Sequence, residues 1–186
     1  MSLVMQACTQ MELSGEGRAR LQPQMTPQSA VQALLDAGAT QDALKLLARL
    51  LPKRYAVAWL CQCARDQPLS LEDKAGASLA EKWVRDPSEE NRRAAYEFAN
   101  AGEYESLGAW LAAAAGWSGG SLAPAAQETP VPPAEHLTAR ATVVAVNQLA
   151  MLVADQAATR RAAFIDRALA LLASGAGANQ PAGGHA

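Results

Sequence analysis

A segment that is apolar on nearly every helical face, residues 137–154, constrains the fold of this 186-residue chain more than any other feature. Only Thr142, Asn147 and Gln148 interrupt the apolar run over 141–154. A helix without a polar face has to be covered by other helices, and about 14 residues are too few to span a bilayer. The segment is therefore predicted to be the central helix of an all-α domain.

Start and stop signals divide the rest of the sequence into further helices. Thr26 before Pro27 is typical of a helix start, and Gly38 is typical of a left-handed helix end. Similar signals predict later helices over 40–51, 52–66, 70–84, 88–102, 103–115, 134–156 and 159–174. No window alternates between apolar and polar residues, so no strand is predicted. The result is a single helical-bundle domain of about eight helices over 26–174, built from αα-hairpins.

Three segments fall outside the predicted helices. Residues 1–25 show no period, and we expect them to be disordered. Residues 117–133 form a long Gly/Ser/Pro-rich linker before the last two helices, and residues 175–186 form a flexible, low-complexity tail. Two hairpins resemble each other weakly, because "LLDAGATQDALKLLARL" and "FANAGEYESLGAWLAAA" both place Ala-Gly between two helices.

Bulk composition excludes several classes of protein. The net charge of −2 gives no basic footprint for nucleic acid. The first residues lack the basic and apolar regions of a secretory signal, and no segment predicts a membrane span. Three cysteines, Cys8, Cys61 and Cys63, do not make a disulfide framework. We therefore expect a cytoplasmic protein without membrane or nucleic-acid partners.

The sequence "GWSGG" at 116–120 matches the G-x-S-x-G pattern of esterase nucleophiles. That pattern requires a strand before the serine and a helix after it, whereas here a predicted helix ends at a left-handed Gly116 and a loop follows. A triad with Ser118 would also need Asp155 or Asp166 together with His185, the penultimate residue. We interpret the match as chance and expect no enzyme.

Other reactive side chains have simpler explanations. Cys61 and Cys63 lie two positions apart on a helix, so their thiols diverge by about 200° and fit core packing better than a metal site. His136 has no partners at metal-ligand spacing. We therefore predict no metal and no cofactor. Arg160 and Arg161, near the start of a helix, are expected to pair with a carboxylate. The four tryptophans, at 59, 83, 110 and 117, are assigned to the core.

One stretch, "GWSGGSLAPAAQETPVPPAEHLTARATVVAVNQLA", together with "LPKR" at 51–54 and the helix carrying Trp59, Cys61 and Ala64, resembles an uncharacterised family of bacterial α-helical proteins. The resemblance covers roughly 28–174. Members of this family are often encoded beside type VI secretion genes for spike, tip-repeat and adaptor proteins. The resemblance thus implies a cytosolic helper that loads or stabilises an effector or spike component, and it brings no catalytic residue with it.

We therefore expect a non-catalytic interaction module, an adaptor or chaperone whose partner is a secretion spike, effector or adaptor protein. Two alternatives stay open: a small-ligand-binding protein or enzyme with a pocket beside the 117–133 loop, and a helical scaffold that self-associates into a homo-oligomer. The expected contact surface is the loop with nearby charge, at Arg92, Arg93, Pro124, Pro130, Pro132, Pro133 and Arg140. Replacing 124–133 with a Gly/Ser linker should then weaken partner binding at least tenfold, about 1.4 kcal/mol.

Overall fold

Ten α-helices and one 3₁₀-helix make up the computed structural model, which describes residues 1–177 and contains no strand within that range. In chain order they are α1 (Leu3–Gln10), α2 (Gly15–Ala19), α3 (Pro27–Asp36), α4 (Thr40–Leu50), α5 (Lys53–Arg65), α6 (Leu71–Arg85), α7 (Glu89–Ala101), α8 (Leu107–Gly116), α9 (Leu137–Met151), the 3₁₀-helix (Ala154–Gln156) and α10 (Ala157–Gly177). The predicted all-α fold is confirmed. Of the predicted tail, 175–177 belong to α10, and 178–186 lie outside the described residues.

Serine and threonine side chains fix most of the helix starts by accepting a hydrogen bond from a backbone N–H in the first turn. The predicted caps Thr26 and Ser70 are confirmed. The cap of α7 is Ser88, one residue after the predicted Asp86-Pro87 signal. The predicted start of α8 at 103 is wrong, because Glu103 and Tyr104 have φ of 50° and 59°, and the helix begins only after Ser106.

The turns of the α3–α4 and α7–α8 hairpins share one backbone pattern. Gly38 has φ of 73° in the first turn, and Glu103 has φ of 50° in the second. Each donates its N–H to the carbonyl three residues earlier, and the next residue donates to the carbonyl five residues earlier. The resemblance between the two hairpin sequences therefore extends to the backbone conformation of their turns, but Glu103 rather than Gly102 is the counterpart of Gly38.

The helix that is most enclosed is α8, which packs against α6, α7 and α9. Every residue of α8 is buried except Trp110, which is half-buried. Glycines allow the close approach, since a methyl group at Gly76 on α6 would overlap the Gly108 carbonyl. The predicted central helix, α9, buries one face that includes Leu149. Its other face, which carries Val144, is only half-buried, so α8 and not α9 is the centre of the bundle.

The N-terminal segment differs most from expectation, because residues 1–25 contain α1 and α2 instead of a disordered chain. Val4 and Cys8 of α1 are buried in the core, where α1 packs on α4. Behind α1, the carboxylate of Asp42 accepts hydrogen bonds from the Ser14 backbone N–H at 3.1 Å and from its hydroxyl at 2.5 Å. A helix of eight residues is too short to show a clear apolar period, so periodicity alone does not predict α1.

Within the described residues no single helix is both long and apolar enough to cross a bilayer. By length and composition alone, the pair Leu137–Met151 and Ala154–Ala173 qualifies only in combination, and it is bent by 114°.

Candidate functional site

Arg92 lies beside the 117–133 loop, as predicted, but its side chain is buried and holds the loop in place. Its guanidinium donates to the Gly116 carbonyl at 2.6 Å and to the Ser121 carbonyl at 3.1 Å. Two further hydrogen bonds of 2.6 Å reach both carboxylate oxygens of Glu89. Only 3% of the Arg92 side chain is exposed. Its charge is thus committed to partners inside the chain.

The middle of the loop is folded against α7 in the same way. Arg93 donates to the carbonyls of Ser121 and Ala123, both at 3.1 Å, and the Tyr96 hydroxyl donates to the Leu122 carbonyl at 2.8 Å. Val131 closes the loop, because its carbonyl accepts from the Leu122 N–H at 2.8 Å. The loop is therefore an ordered part of the structure and not a loose linker.

The predicted prolines lie on the outer side of this loop. Pro124, Pro130 and Pro132 are exposed, and Pro133 is half-buried. The loop thus offers a proline-bearing surface, while the arginines beneath it are already occupied.

The G-x-S-x-G match lies at the junction of α8 and the loop, with a helix before it. Gly116 is the last residue of α8, and the left-handed residue is Gly120, with φ of 64°, so the predicted conformation of Gly116 is wrong. Gly116 is required for another reason: an added Cβ would lie 2.6 Å from the Cα of Tyr96 on α7. The Ser118 carbonyl accepts a hydrogen bond from the Lys53 ammonium at 2.9 Å. The strand that a nucleophile elbow needs is therefore replaced by a helix.

The three cysteines are buried and form no disulfide. Burial raises the pKa of Cys61 and of Cys63 to about 12, and it also raises the pKa of Cys8. A thiol with a raised pKa is a poor nucleophile and a poor metal ligand at neutral pH. Over residues 1–177, no group of three or more His, Cys, Asp or Glu side chains is placed to hold a metal ion.

Arg160 has partners other than the predicted carboxylate. It donates to the carbonyls of Leu149 and Ala150 at the end of α9, at 3.1 and 3.2 Å, and to the side-chain oxygen of Gln67. The last carbonyls of a helix have no partner within the helix, and they carry partial negative charge. Arg160 of α10 therefore caps α9 and ties it to the segment that follows α5. Arg161 also lacks the predicted carboxylate and donates to the side chain of Asn147 on α9 at 2.7 Å.

An open apolar cleft of about 380 Å³ lies on the half-exposed face of α9. Leu137, Val143 and Val144 of α9 line it, and Trp110 and Trp117 stand beside them. Both tryptophans are half-buried, which corrects their assignment to the core. By contrast, Trp59 is fully buried and Trp83 nearly so, as predicted.

The two cleft tryptophans belong to an aromatic cluster with Tyr104. The ring centroids of Trp110 and Trp117 are 5.9 Å apart in an edge-to-face arrangement. Tyr104 lies 5.6 Å from Trp110 and 5.2 Å from Trp117. Rings packed at these distances stabilise one another. The cleft wall is therefore fixed by its own contacts.

Charged side chains form the rim of the cleft. Arg140, the remaining predicted contact residue, donates from Nη2 to the Glu12 carboxylate at 2.9 Å and to the Gln10 carbonyl at 3.0 Å. Lys45 donates to the Glu12 carbonyl at 3.2 Å, and Arg49 donates to the Gln10 side chain at 2.7 Å. Arg140 thus lies at the cleft and contacts the N-terminal segment, whereas Arg92 and Arg93 contact the 117–133 loop.

The electrostatics of this rim are those of a positive surface with one carboxylate. The hydrogen bond from Arg140, followed by its charge and that of Lys45, lowers the pKa of Glu12. Burial lowers the pKa of His136 at the start of α9, and the charges of Arg140 and Arg49 lower it further. The Nε of Arg140 is buried and has no hydrogen-bond partner among the described residues.

Sequence reasoning found only Arg140 of the cleft. Trp110 on α8 and Trp117 directly after it are seven residues apart, which is about two helical turns, and this spacing could have marked a shared face. Met11 and Glu12 carried no such signal, because their place at the cleft depends on the fold of the N-terminal segment.

A family model described as a family of unknown function, DUF6931, matches residues 30–172. The chain belongs to this family. The match confirms the resemblance to an uncharacterised family, with nearly the predicted bounds. No curated protein and no solved structure matches the chain. The DUF6931 region supplies Trp110, Trp117 and the α9 side of the cleft, whereas Met11 and Glu12 lie before the matched residues.

Proposed function

We propose that this DUF6931 protein is a non-catalytic interaction module, an adaptor or chaperone, and that it binds its partner protein at the cleft beside α9. The observation that carries the proposal is the pair of half-buried tryptophans, Trp110 and Trp117, next to Arg140. Tryptophan, tyrosine and arginine are the residues most enriched among those that dominate binding energies. An open apolar surface of this kind is typical of a protein contact.

The cleft is a better candidate than the 117–133 loop. Arg92 and Arg93 already donate hydrogen bonds to carbonyls at the loop. A partner that bound there would therefore contact prolines and backbone but few unpaired charged groups. At the cleft, in contrast, apolar side chains and cations are both within reach of a partner.

The kind of partner is suggested by the family resemblance. The family that this chain resembles is often encoded beside type VI secretion genes. We therefore propose that the partner is a spike, effector or adaptor protein and that the two bind in the cytoplasm. This assignment is independent of the cleft, and the partner's identity tests it separately.

Co-purification from the source cells, with the full tagged chain as bait, tests the proposed function. Val144→Glu places a charge in the cleft, and Val131→Glu is the matched control on the exposed part of the loop. We expect a stoichiometric partner that is retained by Val131→Glu and weakened at least tenfold by Val144→Glu. Circular dichroism melting checks that both variants are folded.

The other outcomes identify the alternatives. Loss of the partner on replacing 124–133 with a Gly/Ser linker, but not with Val144→Glu, would move the binding site to the loop. If the only stoichiometric partner is the chain itself, the adaptor function is wrong and the self-associating scaffold is right.

The size of the cleft favours one second candidate, a small-ligand-binding protein. A volume of about 380 Å³ is within the range of roughly 300–1,000 Å³ found for small-molecule sites. Trp117 begins the 117–133 loop, so the cleft also lies beside that loop, as this alternative requires. Native mass spectrometry of the purified chain would detect a retained small molecule.

A further inference from the structure

We infer that the cleft binds an acidic amphipathic segment of the partner protein, with an apolar side chain against Trp110 and Val144 and an adjacent carboxylate on Arg140. In the free chain, Glu12 supplies the carboxylate at that position. The inference rests on the proposed function, because it names the chemistry of the segment that the interaction module recognises.

The apolar half of the site is already formed. Trp110 and Trp117 hold each other edge to face, and Tyr104 supports both rings from a distance of less than 6 Å. Binding therefore costs little free energy for ordering the side chains of the cleft wall, and this is the main benefit of a preorganised site. At about 380 Å³ the cleft is near the lower end of the small-molecule range, so it accepts one or two side chains and not a whole helix.

The polar half of the site attracts negative charge. Lys45 and Arg140 line the cleft, and Arg49 lies behind them on Gln10. Glu12 is the only carboxylate among the residues lining the cleft. The chain as a whole has a net charge of −2, so this concentration of cations is local. A segment that places acidic residues beside its apolar side chain complements the rim, whereas a basic segment is repelled.

One guanidinium donor of Arg140 has no partner in the described chain, although it is buried while Glu12 is in place. Its Nη2 binds Glu12 and Gln10, while its Nε has no partner within the described chain. Guanidinium groups bind carboxylates best through two parallel hydrogen bonds. A carboxylate that bridges Nε and Nη2 therefore gains a contact that Glu12 does not make.

Glu12 is suited to be exchanged for such a ligand. Its side chain is 74% exposed, and an ion pair of this exposure is weak. Releasing Glu12 from Arg140 thus costs the chain little.

Selection of displayed random 12-residue peptides on the immobilised full chain tests the inference. We expect enrichment of peptides with Asp or Glu next to Leu, Phe or Trp. The affinity of one enriched peptide is then measured by fluorescence anisotropy. Arg140→Gln should weaken it at least tenfold, and Glu12→Gln should tighten it about twofold to fivefold, because a competing exposed carboxylate is removed.

Arg85→Gln is the matched control, since Arg85 is another exposed arginine with a glutamate partner, Glu81, but lies on α6 away from the cleft. It should leave the peptide affinity unchanged. Glu12→Gln changes one exposed side chain, so it keeps the test valid even if Arg140→Gln fails to fold.

Three results would overturn the inference: enrichment of basic or uncharged peptides, no enrichment, or an acidic peptide that is insensitive to both Arg140→Gln and Glu12→Gln. If a native partner is lost with Val144→Glu but retained with Arg140→Gln, the interaction function stands and the acidic segment is wrong. A cleft-dependent dimer of the chain, detected by light scattering, would contradict both.

Discussion

Two arginine–glutamate ion pairs with similar N–O distances differ in their role in this molecule. Arg92 and Glu89 are 2.6 Å apart at the 117–133 loop, and Arg140 and Glu12 are 2.9 Å apart at the cleft. The Arg92 side chain is 3% exposed, whereas that of Arg140 is 40% exposed. Arg92 uses all three of its nitrogens within the chain, but Arg140 uses only Nη2.

The difference separates a charge that holds the fold from a charge that is available for binding. A buried guanidinium is tolerated only when its donors are satisfied, so Arg92 depends on Glu89 and on the carbonyls of Gly116 and Ser121. Arg140 is partly exposed, and its buried Nε has no hydrogen-bond partner among the described residues. The two arginines therefore differ in how many of their donors have partners within the chain. From the sequence, both are predicted to contact a partner protein.

Removing Arg92 should have the largest effect on stability. Arg92→Ala leaves the carbonyl of Gly116 without its side-chain donor and the carbonyl of Ser121 with Arg93 alone, and it should lower the free energy of unfolding by about 3 kcal/mol. Urea denaturation measures this change. Arg85→Ala, which removes an exposed arginine paired with Glu81 on one helix, should cost less than about 0.5 kcal/mol. A cost below about 1 kcal/mol for Arg92→Ala would show that the loop is held by other contacts.

The next largest effect should come from the glycine at the start of the same loop. Gly116→Ala would place a Cβ 2.6 Å from Cα and 2.8 Å from N of Tyr96, so α7 and α8 must move apart, at a cost of about 2 kcal/mol. Gly119→Ala is the control in the same "GWSGG" sequence, because its Cβ would have nothing within 4 Å. Thermal melting should separate the two variants clearly. Equal midpoints would mean that the close approach of Gly116 to α7 has little energetic weight.

Much of the fold could be predicted because helix signals are local. Thr26 and Ser70 cap their helices as expected. Each cap is a hydrogen bond between a hydroxyl and the N–H three residues later, so it does not depend on distant parts of the chain. Where the prediction failed, distant contacts decide. Arg160 pairs with carbonyls at the end of α9, and Gly116 faces Tyr96 across two helices; no local pattern encodes either contact.

The cleft shows the same limit. The α9 and tryptophan sides derive from helical faces, which a periodic reading of the sequence can reach. Its rim joins Glu12 to Arg140 across 128 positions of the chain. That contact depends on the packing of α1 on α4, and α1 is too short to be predicted from the periodicity of its apolar residues. Interaction between segments so far apart is specified by the packed structure and not by either segment.

The smallest effect that distinguishes the two pairs is the pH dependence of stability. The hydrogen bond from Arg92 lowers the pKa of Glu89 below its usual value of 4.5, and Arg140 lowers that of Glu12 in the same way. A carboxylate with a lowered pKa in the folded state adds stability above its ordinary pKa, and this stability is lost as the pH falls through the lowered value.

The advantage of the wild type over Glu89→Gln in unfolding free energy should therefore shrink between about pH 6 and about pH 3. Because the Glu89 side chain is 59% exposed, this change should stay below about 1 kcal/mol. Urea titrations at a series of pH values measure it. Glu12→Gln should show a weaker pH dependence, since Glu12 is the more exposed carboxylate and pairs with a partly exposed arginine. A stronger dependence for Glu12→Gln would reverse the comparison and make the cleft pair the structural one.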